Sequence, residues 1–160
     1  MLEITSVMPA PGKPEWACKV TNWLIDFEAE NGCNIQKKHI TPNSAKINGI
    51  YALDRNRLIG GLLFTLHNDW IFINIAYVQP KYRGSGLFSL MVGQLEKYGR
   101  KRGVAGMHVS TFDFEAPHIY EHMGFVRGCV MPDCPRGNTS IDFVKLLGAA
   151  KTESKKKGRL

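Results

Sequence analysis

The stretch "WIFINIAYVQPKYRGSGLF", residues 70–88, runs from an apolar segment through a loop with two glycines into the first turn of a helix. Its first nine residues are apolar except Asn74, which predicts a strand buried on both faces with one interior polar side chain. Gly84 and Gly86 allow a tight turn of the backbone. A strand, a loop and a helix in this order predict part of a sheet that is covered by helices.

The sequence on both sides of this unit has the periodicity of further strands and helices. Seven segments have the composition of strands: residues 3–7, 46–54, 57–67, 70–78, 104–111, 126–131 and 140–147. Three segments have helical periodicity: residues 13–32, 87–103 and 114–125. A helical crossover between two strands predicts parallel neighbours, whereas the hairpins on either side predict antiparallel pairs. We therefore expect an α/β (α+β) fold with a mixed, mostly antiparallel sheet and helices on both faces.

The loop of residues 79–86 has the features of a phosphate-binding site. Its glycines leave backbone N–H groups uncovered at a helix N-terminus, where the helix dipole favours anions. Arg83 adds a positive charge. The pattern is neither a Walker loop nor a dinucleotide fingerprint. A plain strand-to-helix turn with two glycines is an equally good reading of the spacing alone.

A second stretch, "EAPHIYEHMGF" (residues 115–125), contains the H-x-x-E-H spacing of one class of zinc peptidase at His118, Glu121 and His122. A catalytic zinc needs a third protein ligand. The only glutamate downstream of this stretch is Glu153, which belongs to a basic terminal segment. We therefore expect no metal and place both histidines on the solvent side or at the edge of a substrate cleft.

Composition indicates the number of domains and the cellular compartment. The chain has 160 residues, of which 44% are apolar and 22% are charged, as in one globular domain. Residues 1–16 have neither the basic nor the long apolar region of a signal peptide, so we expect no secretory signal and, without a membrane-length apolar segment, no membrane span. The four cysteines form no C-x-x-C pair, so we expect reduced thiols in a cytoplasmic protein. The last ten residues supply +4 of the net charge of +7. We divide the chain into a domain, residues 1–148, and a basic flexible tail, residues 149–160.

The glycine loop resembles the acyl-CoA-binding motif of the GNAT N-acetyltransferases, Arg/Gln-x-x-Gly-x-Gly/Ala. Phe88 stands where that family usually has glycine or alanine. The resemblance implies a GNAT-type acyl-CoA N-acyltransferase fold that binds acetyl-CoA as co-substrate. It also implies that the backbone of Val78 orients the thioester. The residues whose amides would hold the pyrophosphate are Arg83, Gly84, Ser85, Gly86, Leu87 and Phe88.

The second stretch also matches this family, because it is similar to a bacterial subgroup with the segment TF-F-AP--Y. Ala116, Tyr120 and Gly124 have the family spacing, whereas Asp113 replaces an asparagine near the cofactor. The resemblance implies that Tyr120 assists the leaving thiolate, and a phenol with a pKa near 10 keeps its proton at neutral pH. The alternative is that Tyr120 only packs in the core.

The proton acceptor for the attacking amine is less well defined by the sequence. His67 and Asp69, which precede the apolar strand, are the catalytic candidates. Further options for the base are Glu28, Glu30 and His118. Asp69 and Asp133 are alternatives for holding a cationic substrate.

These patterns predict an N-acetyltransferase in which a primary amine, expected to belong to a small molecule, attacks acetyl-CoA directly. A protein amino-group acetyltransferase and a non-catalytic CoA-binding module are the alternatives. The expected partners are acetyl-CoA and the amine, with a homodimer left open. We expect no membrane partner, and nucleic acid ranks last because the basic residues are not interleaved with aromatic ones.

Overall fold

The computed structural model describes residues 6–10, 12–33 and 48–148. The predicted strand at 3–7 is thus described only from residue 6. Residues 33–45, whose weak sequence signals predict a loop with at most a helical turn, lie outside the described residues except for Cys33, and so does the tail at 149–160. The strands are β1 (Ser6–Pro9), β2 (Asn48–Asp54), β3 (Arg57–His67), β4 (Trp70–Val78), β5 (Gly106–Phe112), β6 (Val126–Met131) and β7 (Ser140–Leu146). The helices are α1 (Pro14–Glu30), α2 (Leu87–Arg102) and α3 (His118–His122). The predicted order of elements is confirmed.

The strands of the described residues form one mixed sheet in the order β1-β2-β3-β4-β5-β7-β6. Strands β4 and β5 are parallel, and the other neighbours are antiparallel. The crossover through α2 accounts for the parallel pair, since two parallel strands need a long connection. The predicted mixed, mostly antiparallel sheet is therefore confirmed.

Helices cover both faces of the sheet. Helix α2 and Tyr120 of α3 pack on one face in the larger core, whose central residues include Ile71, Met91 and Phe143. Helix α1 packs on the opposite face through Ala17 and Val20 against the strands around Tyr51. No helix among the described residues is both long enough and apolar enough to cross a membrane.

Strand β4 contains an irregularity that opens the sheet. In the pairing of β3 with β4, Leu63 lies opposite Ile75 and Phe64 opposite Ile73, so Asn74 is an extra residue in a β-bulge. The pairing of β4 with β5 ends at the same place, with Ile73 opposite Val109. Beyond the bulge the two parallel strands separate, and a gap opens between their carboxyl ends.

The bulge corrects the prediction for β4. Ile71 and Ile73 are buried, but Phe72 is only half-buried and Asn74 is exposed. The prediction of a strand buried on both faces, with Asn74 as an interior polar residue, was therefore wrong. The physical reason is that the bulge turns the Asn74 side chain to solvent, so its amide needs no partner in the core.

Candidate active site

A cavity of about 390 Å³ lies at the open end of the sheet, beside the separated ends of β4 and β5. Its walls come from the end of α1, the last three residues of β4, the glycine loop with the start of α2, and the segment from Phe114 to Tyr120. Most of these side chains are apolar or aromatic. Both stretches that the sequence singled out thus meet in one cavity.

The glycine loop forms the cavity wall at the N-terminus of α2. Gly84 and Gly86 have φ angles of +74° and +81°, and no heavy atom outside their neighbours lies within 4 Å of where a Cβ would be. The N–H of Leu90 bonds to the carbonyl of Gly86 and begins the helical ladder. The preceding N–H groups of a first turn have no intrahelical acceptor. The loop therefore offers unobstructed amides at a helix N-terminus, which fits an anionic group such as a pyrophosphate.

The loop is anchored from beneath by side-chain hydrogen bonds. Ser85 Oγ donates to the carbonyl of Tyr82 over 2.6 Å, and the Tyr82 hydroxyl donates to Asp54 Oδ2 over 2.8 Å. Tyr82 is buried in the larger core. These bonds fix the loop to the hairpin of β2 and β3, so its amides keep a defined direction. Ser85 does not line the cavity.

Arg83 lies along the cavity wall. Its Nε donates to the carbonyl of Val78 over 2.9 Å. The guanidinium lies over the rings of Phe27 and Tyr77, at 5.1 and 5.2 Å from the ring centroids. Arg83 therefore engages the carbonyl of Val78, the residue whose backbone is predicted to orient a thioester, and its charge lies beside aromatic rings.

Tyr120 projects into the cavity from α3. Its ring lies 5.6 Å from Phe88, 5.6 Å from Phe125 and 5.5 Å from Phe143, and the side chain is 5% exposed. Burial, and secondarily the charge of Glu115, raises the pKa of Tyr120 above its ordinary value. The phenol is therefore protonated throughout the neutral range and can act as a hydrogen-bond donor.

A ring contact accounts for Phe88 at the position where the family motif has glycine or alanine. Phe88 occupies the second position of α2 and meets the Tyr120 ring edge-on, with an interplanar angle of 88°. Glycine or alanine at this position could not make that contact. Phe88 thus lines the cavity and supports the tyrosine, while Leu87 beside it is 1% exposed and belongs to the core.

The structure places several predicted site residues away from the cavity. His67 and Asp69 are exposed and flank the turn before β4, whereas the cavity lies at the end of that strand. Trp70 and Val78 are eight residues apart, or about 26 Å at the usual strand rise. Asp113 is exposed in a short turn of 3-10 helix (Asp113–Glu115) and does not line the cavity. The structure therefore does not bring these three side chains to Tyr120.

The other acidic and histidine candidates are also outside the cavity lining. Glu28 is buried in α1 at 4% exposure, and Glu30 is exposed. His118 and His122 are exposed as predicted, with ring centroids 6.2 Å apart. Asp133 lies in the exposed turn between β6 and β7, where Oδ1 accepts a hydrogen bond from the Gly137 N–H. Within the described ranges, no group of three or more potential ligands is arranged to hold a metal ion.

Glu115 lines the cavity and was missed as a site residue by sequence reasoning. Its Oε2 accepts hydrogen bonds from Thr111 Oγ1 over 2.8 Å and from the N–H of Phe112 over 2.9 Å. One signal was available in the sequence. Glu115 follows a strand that is parallel to β4, so it had to lie at the same edge of the sheet as the glycine loop.

Comparisons with known proteins agree with this geometry. The profile of the acetyltransferase (GNAT) family matches residues 15–125. A blasticidin-S acetyltransferase from Streptomyces morookaense is 35% identical over 95 residues, which is 59% of this chain and 70% of that protein.

Two solved structures share the fold. The ribosomal-protein-S18-alanine N-acetyltransferase from Escherichia coli superposes with a TM-score of 0.66 at 15% identity, covering 92% of this chain and 98% of that one. An aminoglycoside 6'-N-acetyltransferase complexed with coenzyme A gives a TM-score of 0.63 at 14% identity, covering 89% and 98%. The family match spans both walls of the cavity, and the chain belongs to the acetyltransferase (GNAT) family of acetyl-CoA-dependent N-acetyltransferases.

Proposed function

We propose that this N-acetyltransferase acetylates the primary amine of a small molecule and that the amine attacks acetyl-CoA directly. The observation that carries the proposal is that one cavity contains the glycine loop, the open end of β4 and Tyr120. Support for a small acceptor comes from the relative named for blasticidin S, which is 35% identical over 95 residues.

In this proposal the glycine loop binds the anionic end of acetyl-CoA. The amides from Arg83 to Phe88 would hold the pyrophosphate at the N-terminus of α2, where the dipole adds favourable charge. The backbone of Val78 would hold the arm that carries the acetyl group. Arg83 Nε donates to the Val78 carbonyl, and the second lone pair of that oxygen can accept a hydrogen bond from the arm.

Tyr120 is the group that we assign to the leaving thiolate. Its buried phenol keeps its proton at neutral pH, and the residue lines the cavity. A proton donor that is positioned beside a leaving group typically contributes about 10²–10⁴ in rate. His67 and Asp69 have no part in this scheme, since both lie beyond the far end of β4.

Initial-rate kinetics with acetyl-CoA and a panel of amines tests the proposal, with release of free thiol as the signal. The panel contains blasticidin S, a polyamine and a peptide with a free α-amino group and a lysine. We expect turnover with a small amine and intersecting double-reciprocal lines, as for attack within a ternary complex.

Four other outcomes of these measurements would each contradict one element of the proposal. Parallel lines would point to an acetyl-enzyme and contradict direct attack. Turnover of the peptide alone would favour a protein acceptor. Binding of acetyl-CoA by calorimetry without turnover of any amine would leave a binding module, and absence of binding at millimolar acetyl-CoA would reject the cofactor assignment.

A further inference from the structure

The cavity is electrically polarised. Among the described residues that line it, Arg83 carries the only positive charge and Glu115 the only negative charge. Arg83 belongs to the glycine loop, whereas Glu115 belongs to the wall that follows β5. An anionic cofactor is attracted to the glycine loop, so a group that binds at the wall after β5 meets a negative potential.

The carboxylate of Glu115 is fixed in position. Hydrogen bonds from Thr111 Oγ1 and from the N–H of Phe112 both end on Oε2. The side chain is therefore held in one conformation against the end of β5. Glu115 and Tyr120 both line the cavity, so the carboxylate belongs to the same cavity as the group assigned to the leaving thiolate.

Two aromatic residues, Phe112 and Phe114, precede Glu115 in its segment. Phe114 lies 6.1 Å from Phe27 and 5.5 Å from Phe112, measured between ring centroids. The Arg83 guanidinium lies over Phe27 at 5.1 Å, so a second cation would meet the Arg83 charge at that ring, and Phe114 is the ring on the Glu115 side. Aromatic faces next to a carboxylate form an environment that favours organic cations over neutral molecules of the same shape.

We propose that Glu115, together with Phe114, forms an acceptor subsite that selects amines with a second positive charge. The second cation binds at the carboxylate, and the other amine reaches the acetyl group near Tyr120. The proposal deepens the proposed function and rests on it. Glu115 is thereby a specificity-determining residue rather than a proton acceptor.

If Glu115 only stabilised the turn, its charge would have no effect on the preference for a doubly charged amine. The hydrogen bonds that Glu115 accepts from Thr111 Oγ1 and the Phe112 N–H also hold the short turn Asp113–Glu115 against β5. Glutamine has a side-chain oxygen that accepts the same two hydrogen bonds, but it has no charge. The substitution Glu115→Gln therefore separates the charge from the turn-stabilising hydrogen bonds.

The first experiment measures kcat/KM for two acceptors of equal length. Cadaverine carries two ammonium groups, and aminopentanol has a hydroxyl in place of one of them. We expect the full-length protein to prefer cadaverine by roughly tenfold, and Glu115→Gln to abolish that preference with the KM for acetyl-CoA unchanged. The matched control is Glu121→Gln, which removes the same charge from an exposed residue that does not line the cavity. It should keep the tenfold preference.

A cadaverine preference that survives in Glu115→Gln, or its absence in the unmodified protein, would overturn the inference. A second experiment separates this inference from the proposed function. Calorimetry of cadaverine with the CoA-loaded protein should show roughly tenfold weaker binding in Glu115→Gln. If no amine is turned over but this difference is present, the reaction assignment fails and the cation subsite stands. Equal affinity in both proteins overturns the subsite.

Discussion

Tyr120 is positioned by three aromatic rings, Phe88, Phe125 and Phe143. Edge-on and offset contacts of this kind fix the direction of a ring without using its hydroxyl. The hydroxyl therefore remains available at the cavity. The ring contacts account for the position of Tyr120, and the chemistry proposed for it depends only on the oxygen.

The substitution Tyr120→Phe should lower kcat by about 10²-fold, because it removes the proton donor and keeps the ring contacts. The KM for acetyl-CoA and the melting temperature should change little. Rapid-mixing or steady-state thiol release measures the effect. Tyr98→Phe is the control, since Tyr98 packs on Phe64 away from the cavity. An unchanged kcat in Tyr120→Phe would reject the role of the hydroxyl.

Tyr51 presents the opposite case, a tyrosine whose hydroxyl has no use that the structure reveals. The residue is fully buried under α1, and its hydroxyl has no hydrogen-bond partner within the described residues. Burial raises its pKa to about 12. We expect Tyr51→Phe to raise the free energy of unfolding by about 1 kcal/mol, because it removes an unsatisfied polar group. Urea denaturation measures this change, and a loss of stability would contradict it.

The stability gain from Tyr51→Phe should grow at alkaline pH. The phenol ionises near pH 10 when unfolded but only near 12 when folded. Its contribution to stability is thus fully present below pH 10 and is lost as the pH rises from 10 to 12. Melting curves at pH 8 and pH 11 should show a larger difference between the two proteins at the higher pH.

The position of a residue at the cavity was predictable where a motif defines it and unpredictable where only packing does. The places of Tyr120 and the glycine loop in the cavity lining follow from spacing along the chain. Glu115 was missed because a glutamate before a short helix is an ordinary surface pattern. The roles suggested for His67 and Asp69 depended on which end of β4 faces the cavity, and the amino-acid composition of the strand carries no such information.

The glycine loop connects the geometry of an element with binding. Gly86 and Gly137 have φ angles of +81° and +87°, and at either position the space that a Cβ would occupy has no heavy atom within 4 Å outside the chain neighbours. Alanine at either position should cost about 1–2 kcal/mol through backbone strain. Only Gly86→Ala should also weaken binding of acetyl-CoA, because Gly86 precedes α2 in the cavity wall. Calorimetry should show weaker binding of acetyl-CoA for Gly86→Ala than for Gly137→Ala. Equal affinity of the two variants would contradict binding of the cofactor by the glycine loop.

The longer elements were predictable because their periodicity is strong. Helix α1 follows its apolar stripe from Pro14 to Glu30, and α2 ends at Gly103 with a φ of +70°, as its sequence indicates. The bulge at Asn74 was not predictable. In a strand where nearly every side chain is apolar, an extra residue leaves no break in an alternating pattern, because there is no alternation to interrupt.

The core of the whole molecule closes at Leu147, beyond the last strand. This side chain is 3% exposed, its N–H bonds to the carbonyl of Ala105 over 2.9 Å, and its carbonyl accepts a hydrogen bond from Arg100. All described residues of the cavity lining lie between Leu24 and Tyr120. The residues after Gly148 are therefore not needed for the architecture of the described site.

A chain that ends at Gly148 should keep kcat/KM with acetyl-CoA within about twofold and should melt normally. A chain that ends at Leu146 should lose about 2–5 kcal/mol of stability, as for removal of a buried leucine. Thermal denaturation and initial rates of both proteins measure the two effects. A loss of activity on removal of residues 149–160 alone would assign those residues a role in catalysis.

The bulge at Asn74 has a consequence for how this enzyme can change over time. Before it, β4 is joined to both neighbours and helps to maintain the sheet; after it, the strand has only β3 beside it and borders the cavity. Changes before the bulge should therefore cost stability, whereas changes after it should mainly alter the cavity. One inserted residue thus divides a single strand into a part held by the sheet and a part that can change with the ligand.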